Sequence, residues 1–327
     1  MKRRLRNIQA ALAVIMSSML FFTSCSEEET FDVVGSSENK VFLNTQLWSP
    51  VGVANGVVFN ITKTPLEVII QDAEKIETRI VARCTKPAET DIRVQFTYDP
   101  SLLMDSYALL PGGLTLSMDK SEVTIPKGAT VSSDSIVLSI EGDLSLFDAG
   151  AYMAPIKIFS AGDALLSDMI TASLIVKAAF NNIESGATSV PGAALNRSGW
   201  SATLGGADTS NIFDNSNNTY SSGSALPLVL EVDMQSVQSN ITGIRLQNQS
   251  RNYCMSAVNV YVKQGVSDEY ILQGRASLSR PSNIQTYPQF IRFISKVDAR
   301  YIKLEILSFV YSGYPVRLSE FIPYQEE

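Results

Sequence analysis

Two short segments concentrate aromatic, guanidinium and amide side chains. Gln249-Ser250-Arg251-Asn252-Tyr253 sets a guanidinium, two amides and a phenol side by side, and Tyr311-Ser312-Gly313-Tyr314 places two phenols around a glycine. Aromatic faces stack on the apolar face of a pyranose ring, while planar polar groups such as Arg reach its hydroxyls. Tyr220, Arg251, Asn252, Tyr253, Tyr311 and Tyr314 are therefore the candidate ligand-binding residues. The bland alternative is that several of these tyrosines pack on the edge of the fold. Catalytic chemistry is scarcer. The 327 residues contain no histidine, which removes the commonest general base, the usual partner of a Ser or Cys nucleophile and the usual zinc ligand. A glycosidase needs two carboxylates facing across a cleft. Asp208, Asp268 and Glu269 sit in turn-like segments with no paired pattern, and no Gly-x-Ser-x-Gly elbow or phosphate loop is present. The sequence predicts a protein that is not an enzyme.

The elements that must carry these residues are strands. From residue 40 onward short runs alternate apolar and polar residues with period two, among them Ile92–Tyr98, Glu122–Ile125 and Ser135–Ile140. Turn residues such as Pro111-Gly112-Gly113 and Pro126-Lys127-Gly128 separate them. Half-buried antiparallel strands at this spacing predict an all-β chain built as β-sandwiches. Composition turns polar around Asn181-Asn182-Ile183-Glu184-Ser185-Gly186, and a second β set follows: Gly199–Thr203, Leu228–Val232, Ile241–Gln247, Val258–Val262, Phe290–Ile294, Tyr301–Leu307 and Leu318–Pro323. Trp48 and Trp200 read as packing residues, and Arg300 and Tyr301 as structural ones.

The N-terminal end is different in kind. Lys2-Arg3-Arg4-Leu5-Arg6 precedes an apolar run from Ile8 to Phe22, which meets Thr23-Ser24-Cys25. This resembles a bacterial lipoprotein signal peptide with its lipobox, which implies cleavage after residue 24 and lipidation of Cys25. The alternative is an uncleaved anchor, for which the run is short. Several acyl chains on one residue would hold the protein stably on a membrane. Ser26-Glu27-Glu28-Glu29 resembles the surface-export signal of Bacteroidota-type lipoproteins, implying the outer face of the outer membrane. Residues 25–39 read as a flexible tether. Loss of the four leader cations leaves 22 basic residues against 33 acidic ones, a net charge of about −11. Without a dense cationic stripe, nucleic acid is excluded as a partner. Beyond Cys25 only Cys84 and Cys254 remain, so no disulfide framework is predicted.

Two further resemblances set the domains. Tyr107-Ala108-Leu109-Leu110-Pro111, Val123-Thr124-Ile125-Pro126-Lys127-Gly128 and Tyr152-Met153-Ala154-Pro155-Ile156-Lys157-Ile158 make residues 40–178 similar to the Ig-like domain of unknown function that follows the lipidated cysteine in Bacteroidota surface lipoproteins. It implies a platform role. After a linker at 179–189, residues 190–327 resemble the discoidin or coagulation-factor C-type domain, a galactose-binding-like jelly roll. That likeness rests on Ile212 to Tyr220, Leu228 to Met234, Ala299-Arg300-Tyr301-Ile302-Lys303-Leu304 and Ser319-Glu320-Phe321. It implies that loops at one end of the sandwich bind ligand. It also implies that Asp214, Asn217, Thr219 and Glu320 meet where the first loop lies against the last strand, a place where the family often holds structural calcium. The alternative there is an ion-free turn held by Asx hydrogen bonds. No histidine or loop tryptophan marks the candidate face, a departure from the family pattern. The reading is a non-catalytic cell-surface lipoprotein that captures glycan through its C-terminal domain, beside an outer-membrane transporter or glycosidases. The alternative is an adhesin or assembly component using the same domain to bind protein.

Overall fold

Strand Ile92–Tyr98 shows how period two becomes a layer: Ile92, Val94 and Phe96 are buried, and Arg93 between them is exposed. Ile136–Glu141 repeats the pattern with Ile136, Leu138 and Ile140 inward. Such strands have one apolar face each and must bury it against a second sheet. In this computed structural model, which describes residues 38–44, 55–282 and 287–327, they do so in two β-sandwiches. The leader, Cys25, nearly all of the tether, Trp48 and Pro50 lie outside the described residues.

The N-terminal sandwich packs a five-stranded sheet on a six-stranded one. The first runs in the order Leu165–Leu166, Lys40–Asn44, Glu77–Cys84, Ile136–Glu141, Thr115–Met118. The second runs Val68–Ile70, Gly56–Lys63, Thr171–Phe180, Gly150–Ser160, Ile92–Tyr98, Glu122–Ile125. Phe96, Ile125, Leu138, Phe147 and Ile156 fill the space between them. Each such side chain contributes about 1.5–3 kcal/mol by leaving water. Tyr107 does not reach that core. It packs with Leu103 over Met153 and Ile175 on the outer face of the six-stranded sheet.

Two very long strands, Leu228–Asn248 and Pro288–Phe309, organise the C-terminal sandwich. Their pairing is broken by register shifts between Asp233 and Gly243. Gln235 and Asn240 there adopt φ of 67° and 56°, a left-handed conformation that bends the ribbon. On one side of the bend Leu228–Asp233 pairs with Tyr301–Ile306. On the other, Gly243–Gln247 pairs with Pro288–Arg292 and with the last strand, Val316–Gln325. Met255–Lys263 and Ile271–Ser277 extend the sheet beyond Pro288–Phe309. The bent ribbon closes over a single core that includes Leu230, Ile244, Val260, Leu304 and Phe321. Trp200 joins it, meeting Phe213 edge-on with ring centroids 5.9 Å apart.

The polar run between the two β sets is stitched into the fold. The Asn181 amide donates to Lys63 O of the N-terminal sandwich at 2.9 Å. The Asn182 side chain donates to Gln273 Oε1 at 3.0 Å and Ser295 O at 2.9 Å, and accepts from Ser295 N at 2.7 Å. Ile183 bridges Phe293, and its side chain is buried in the C-terminal core. The Glu184 carboxylate pairs with Arg292 at 3.0 Å.

Candidate functional site

Strand pairing assembles the loop tyrosines. The Arg317 amide donates to Tyr253 O at 3.0 Å, and the Gln249 amide donates to Arg317 O at 2.9 Å. The segment Gln249–Cys254 is thereby laid along the start of the last strand. Val310 N donates to Cys254 O at 3.0 Å, which brings the Tyr311–Tyr314 turn to the same end. Tyr314 tilts against Tyr253 at 5.5 Å and against Tyr311 at 6.1 Å, centroid to centroid. Tyr220 stands just before the short strand Ser221–Gly223, which pairs with Val316–Leu318.

Two guanidiniums hold this group. Arg317 lies 4.0 Å over the Tyr253 ring and 5.1 Å from that of Tyr220, and its Nη1 reaches Gln249 Oε1 at 3.4 Å. Arg280 lies 4.8 Å over Tyr311 while its Nη2 donates to Asn252 Oδ1 at 2.7 Å. Cation–π contact of this kind fixes the rings but covers the faces it uses. Tyr314 carries no guanidinium, is 44% exposed, and borders a cavity of about 330 Å³ with Leu226, Phe309, Ser224 and Ser312. Five of the six residues singled out in the sequence thus gather at one end of the sandwich. Arg251 is exposed and takes no part in these contacts. Arg280 and Arg317 are not among the residues singled out in the sequence: Arg280 is remote in sequence from the ring it covers, and Arg317, though close to Tyr314, covers Tyr253 and Tyr220 through strand pairing.

The loop from Asp214 to Thr219 closes on itself. Asp214 Oδ1 accepts from the Ser216 amide at 2.8 Å and Oδ2 accepts from the Thr219 hydroxyl at 2.6 Å. Asp214, Asn217 and Thr219 are exposed, and Asn217 makes none of these bonds. Glu320, on the last strand, is 3% exposed and forms an ion pair with Arg197. Arg197 Nη1 also donates to Ile212 O at 3.1 Å and Phe321 O at 3.2 Å, while Nη2 donates to Asn215 Oδ1. Burial pushes the Glu320 carboxyl up from its ordinary value, against the pull of the guanidinium. These residues do not fit a calcium ion as the sequence led us to expect. The carboxylate and carbonyls that would ligate it already accept from a guanidinium, and the two hydroxyl and carboxylate groups of the loop are turned to each other. The loop is an Asx turn. Among the described residues, no three His, Cys, Asp or Glu side chains are placed to share a metal.

Carboxylates do gather at a second place. Asp208, Glu231 and Asp233 line a depression of about 320 Å³ with Lys263, Tyr270 and Tyr301. Arg300 grips Asp233 with two bonds, 2.8 and 3.0 Å, and holds its carboxyl below the usual range. A general acid requires the opposite shift. Lys263 lies over the Tyr270 and Tyr301 rings at 4.8 and 4.9 Å, which makes this face a cation–π ladder. Asp268 accepts from the Gly265 amide at 2.6 Å, and Glu269 is exposed.

Residues 52–165 match a family model described as a "-like, N-terminal domain". No curated protein matches the chain. Among solved structures, a two-domain protein of unknown function from Bacteroides fragilis is 15% identical, with a TM-score of 0.53 over 88% of this chain and 95% of that one. The F5/8 type C domain of another B. fragilis protein is 15% identical, with a TM-score of 0.36 over 42% of this chain and 99% of that one. The family 32 CBM from C. perfringens NanJ, solved in complex with galactose, is 18% identical, with a TM-score of 0.35 over 40% of this chain and 98% of that one. The first of these shows a shared fold and nothing finer.

Proposed function

We propose that this chain is a non-catalytic surface lipoprotein that captures glycan at the tyrosine end of its C-terminal sandwich. One observation carries the reading: Tyr314 offers an uncovered ring beside a cavity, on a base of tyrosines already fixed by Arg280 and Arg317. A pyranose would stack its apolar face on that ring, its edge toward Leu226 and Phe309. Its hydroxyls would reach the serines of the cavity and the Tyr311 and Tyr253 phenols. Such sites are weak singly. Tethering through a lipid on Cys25 to the exterior of the outer membrane would raise the effective concentration of protein around a polymeric ligand and make weak capture useful. A transporter or glycosidases working alongside would consume what is held.

The test is a glycan array probed with the whole chain, followed by titration calorimetry on any sugar retained. Tyr314→Ala should weaken binding at least about tenfold, a loss of roughly 1.4 kcal/mol, and Arg251→Ala should leave it within about twofold. No retained glycan, with a protein recovered instead by pull-down and lost in Tyr314→Ala, would replace this reading with the adhesin one.

A further inference from the structure

The junction between the first loop and the last strand holds its own cation. Four oxygens surround the Arg197 guanidinium: the carbonyls of Ile212 and Phe321 and the Glu320 carboxylate accept from Nη1, and the amide oxygen of Asn215 accepts from Nη2. Carbonyl and carboxylate oxygens in such a set are what a hard divalent cation takes from a protein. Here the space between them belongs to the guanidinium, and the Arg197 side chain is 7% exposed. Glu320 retains one further oxygen, Oε1, buried without a hydrogen-bond partner of good geometry. The cage is therefore richer in oxygen than the guanidinium needs. We infer that Arg197 is a built-in replacement for a divalent ion, so that the native protein is indifferent to calcium while removal of the guanidinium opens a calcium site lined by Glu320, Asn215 and the two carbonyls.

Truncating one partner of a buried ion pair leaves the other charge uncompensated, which is far more costly than removing an exposed pair. In Arg197→Ala the uncompensated group is a carboxylate already surrounded by oxygens and by space the size of a guanidinium. Protonation of Glu320 or entry of a cation are the two ways to neutralise it, and at neutral pH in calcium the second is open.

Melting of the whole chain, followed with chelator and with millimolar calcium, tests this. The native protein should melt at the same temperature in both, and calorimetry should show no calcium binding. Arg197→Ala should melt roughly 6 °C or more lower in chelator, recover at least half of that loss in calcium, and bind calcium with one site. The double change Arg197→Ala with Glu320→Gln should recover nothing. If Arg197→Ala does not accumulate folded, Arg197→Gln, which also removes the charge, takes its place in the same comparison. A native protein stabilised by calcium, or an Arg197 variant whose melting ignores calcium, would overturn the inference.

Discussion

Cys254 adjoins Tyr253 in sequence yet faces away from solvent. Burial pushes its thiol up to about 12, against a smaller opposite pull from Arg280, so at neutral pH almost none of it is thiolate. It should fail to react with a thiol-specific disulfide reagent in the native state and react fully in denaturant; rapid native labelling would contradict the packing beneath the tyrosines. Asp99 makes the converse case. Hydrogen bonds from Lys157 first, then Ser101, lower its carboxyl to about 2. A folded-state value below the unfolded one gives stability that is present above about pH 4 and is lost as pH falls toward 2. Melting curves of native protein and Asp99→Asn should thus differ at neutral pH and converge in acid; a constant offset down to pH 2 would show that the carboxylate charge is irrelevant. Single residues were also where sequence reading was weakest. Arg251 stands out in sequence because Gln249–Tyr253 is dense in polar and aromatic groups, whereas the guanidinium on the Tyr253 ring comes from Arg317, delivered by strand pairing. The Arg197–Glu320 pair spans 123 positions, a separation that no local pattern encodes.

Elements were far more legible. Period two found strands such as Ile92–Tyr98 and Ile136–Glu141 because each has one wetter face and one dry face; Gly150–Ser160 and Thr171–Phe180 are buried on both faces in their middles, and Lys40–Asn44 did not stand out. The same rule split the two longest strands. Leu228–Val232 and Ile241–Gln247 read as separate runs because the alternation breaks at the bend, where Gln235 and Asn240 turn left-handed. Ile271–Ser277 escaped notice since its first two residues are apolar and exposed, as an edge strand permits. Composition marked residues 181–186 as polar but could not show that Asn182 spends its amide on Gln273 and Ser295. Gly274 lies at φ 138°, and a Cβ there would stand 3.1 Å from Asn181 Cγ and Ile183 Cγ1. Gly274→Ala should therefore push this connection off the sheet, lowering the melting temperature of the C-terminal core. Asn182→Ala should cost about 1–3 kcal/mol through the buried groups it leaves unpaired. Denaturant titration followed by Trp200 fluorescence in a Trp48→Phe background measures both, and a midpoint within error of that of the background protein in either variant would refute the tie.

At the scale of the molecule, two cores are joined by a segment bonded to both. Calorimetry of the native chain should give one endotherm for the two sandwiches, and Asn182→Ala should resolve it into two. Two separated transitions in the native protein would mean that the connection does not couple them. Charge acts at this scale too. The chain carries a formal net charge of −7, and a neutral sugar held through ring stacking, as proposed, should bind it equally at low and high salt. A steep fall of affinity with salt would instead point to an anionic ligand held by Arg280 and Arg317.

The last strand, Val316–Gln325, is hydrogen-bonded along one edge to Leu228–Asn248 and along the other to Ala193–Ala194 and Ser221–Gly223. It begins two residues after Tyr314. Any displacement of Tyr314 is therefore passed to a strand held by hydrogen bonds on both of its edges, so the position of that ring is tied to the integrity of the whole sheet.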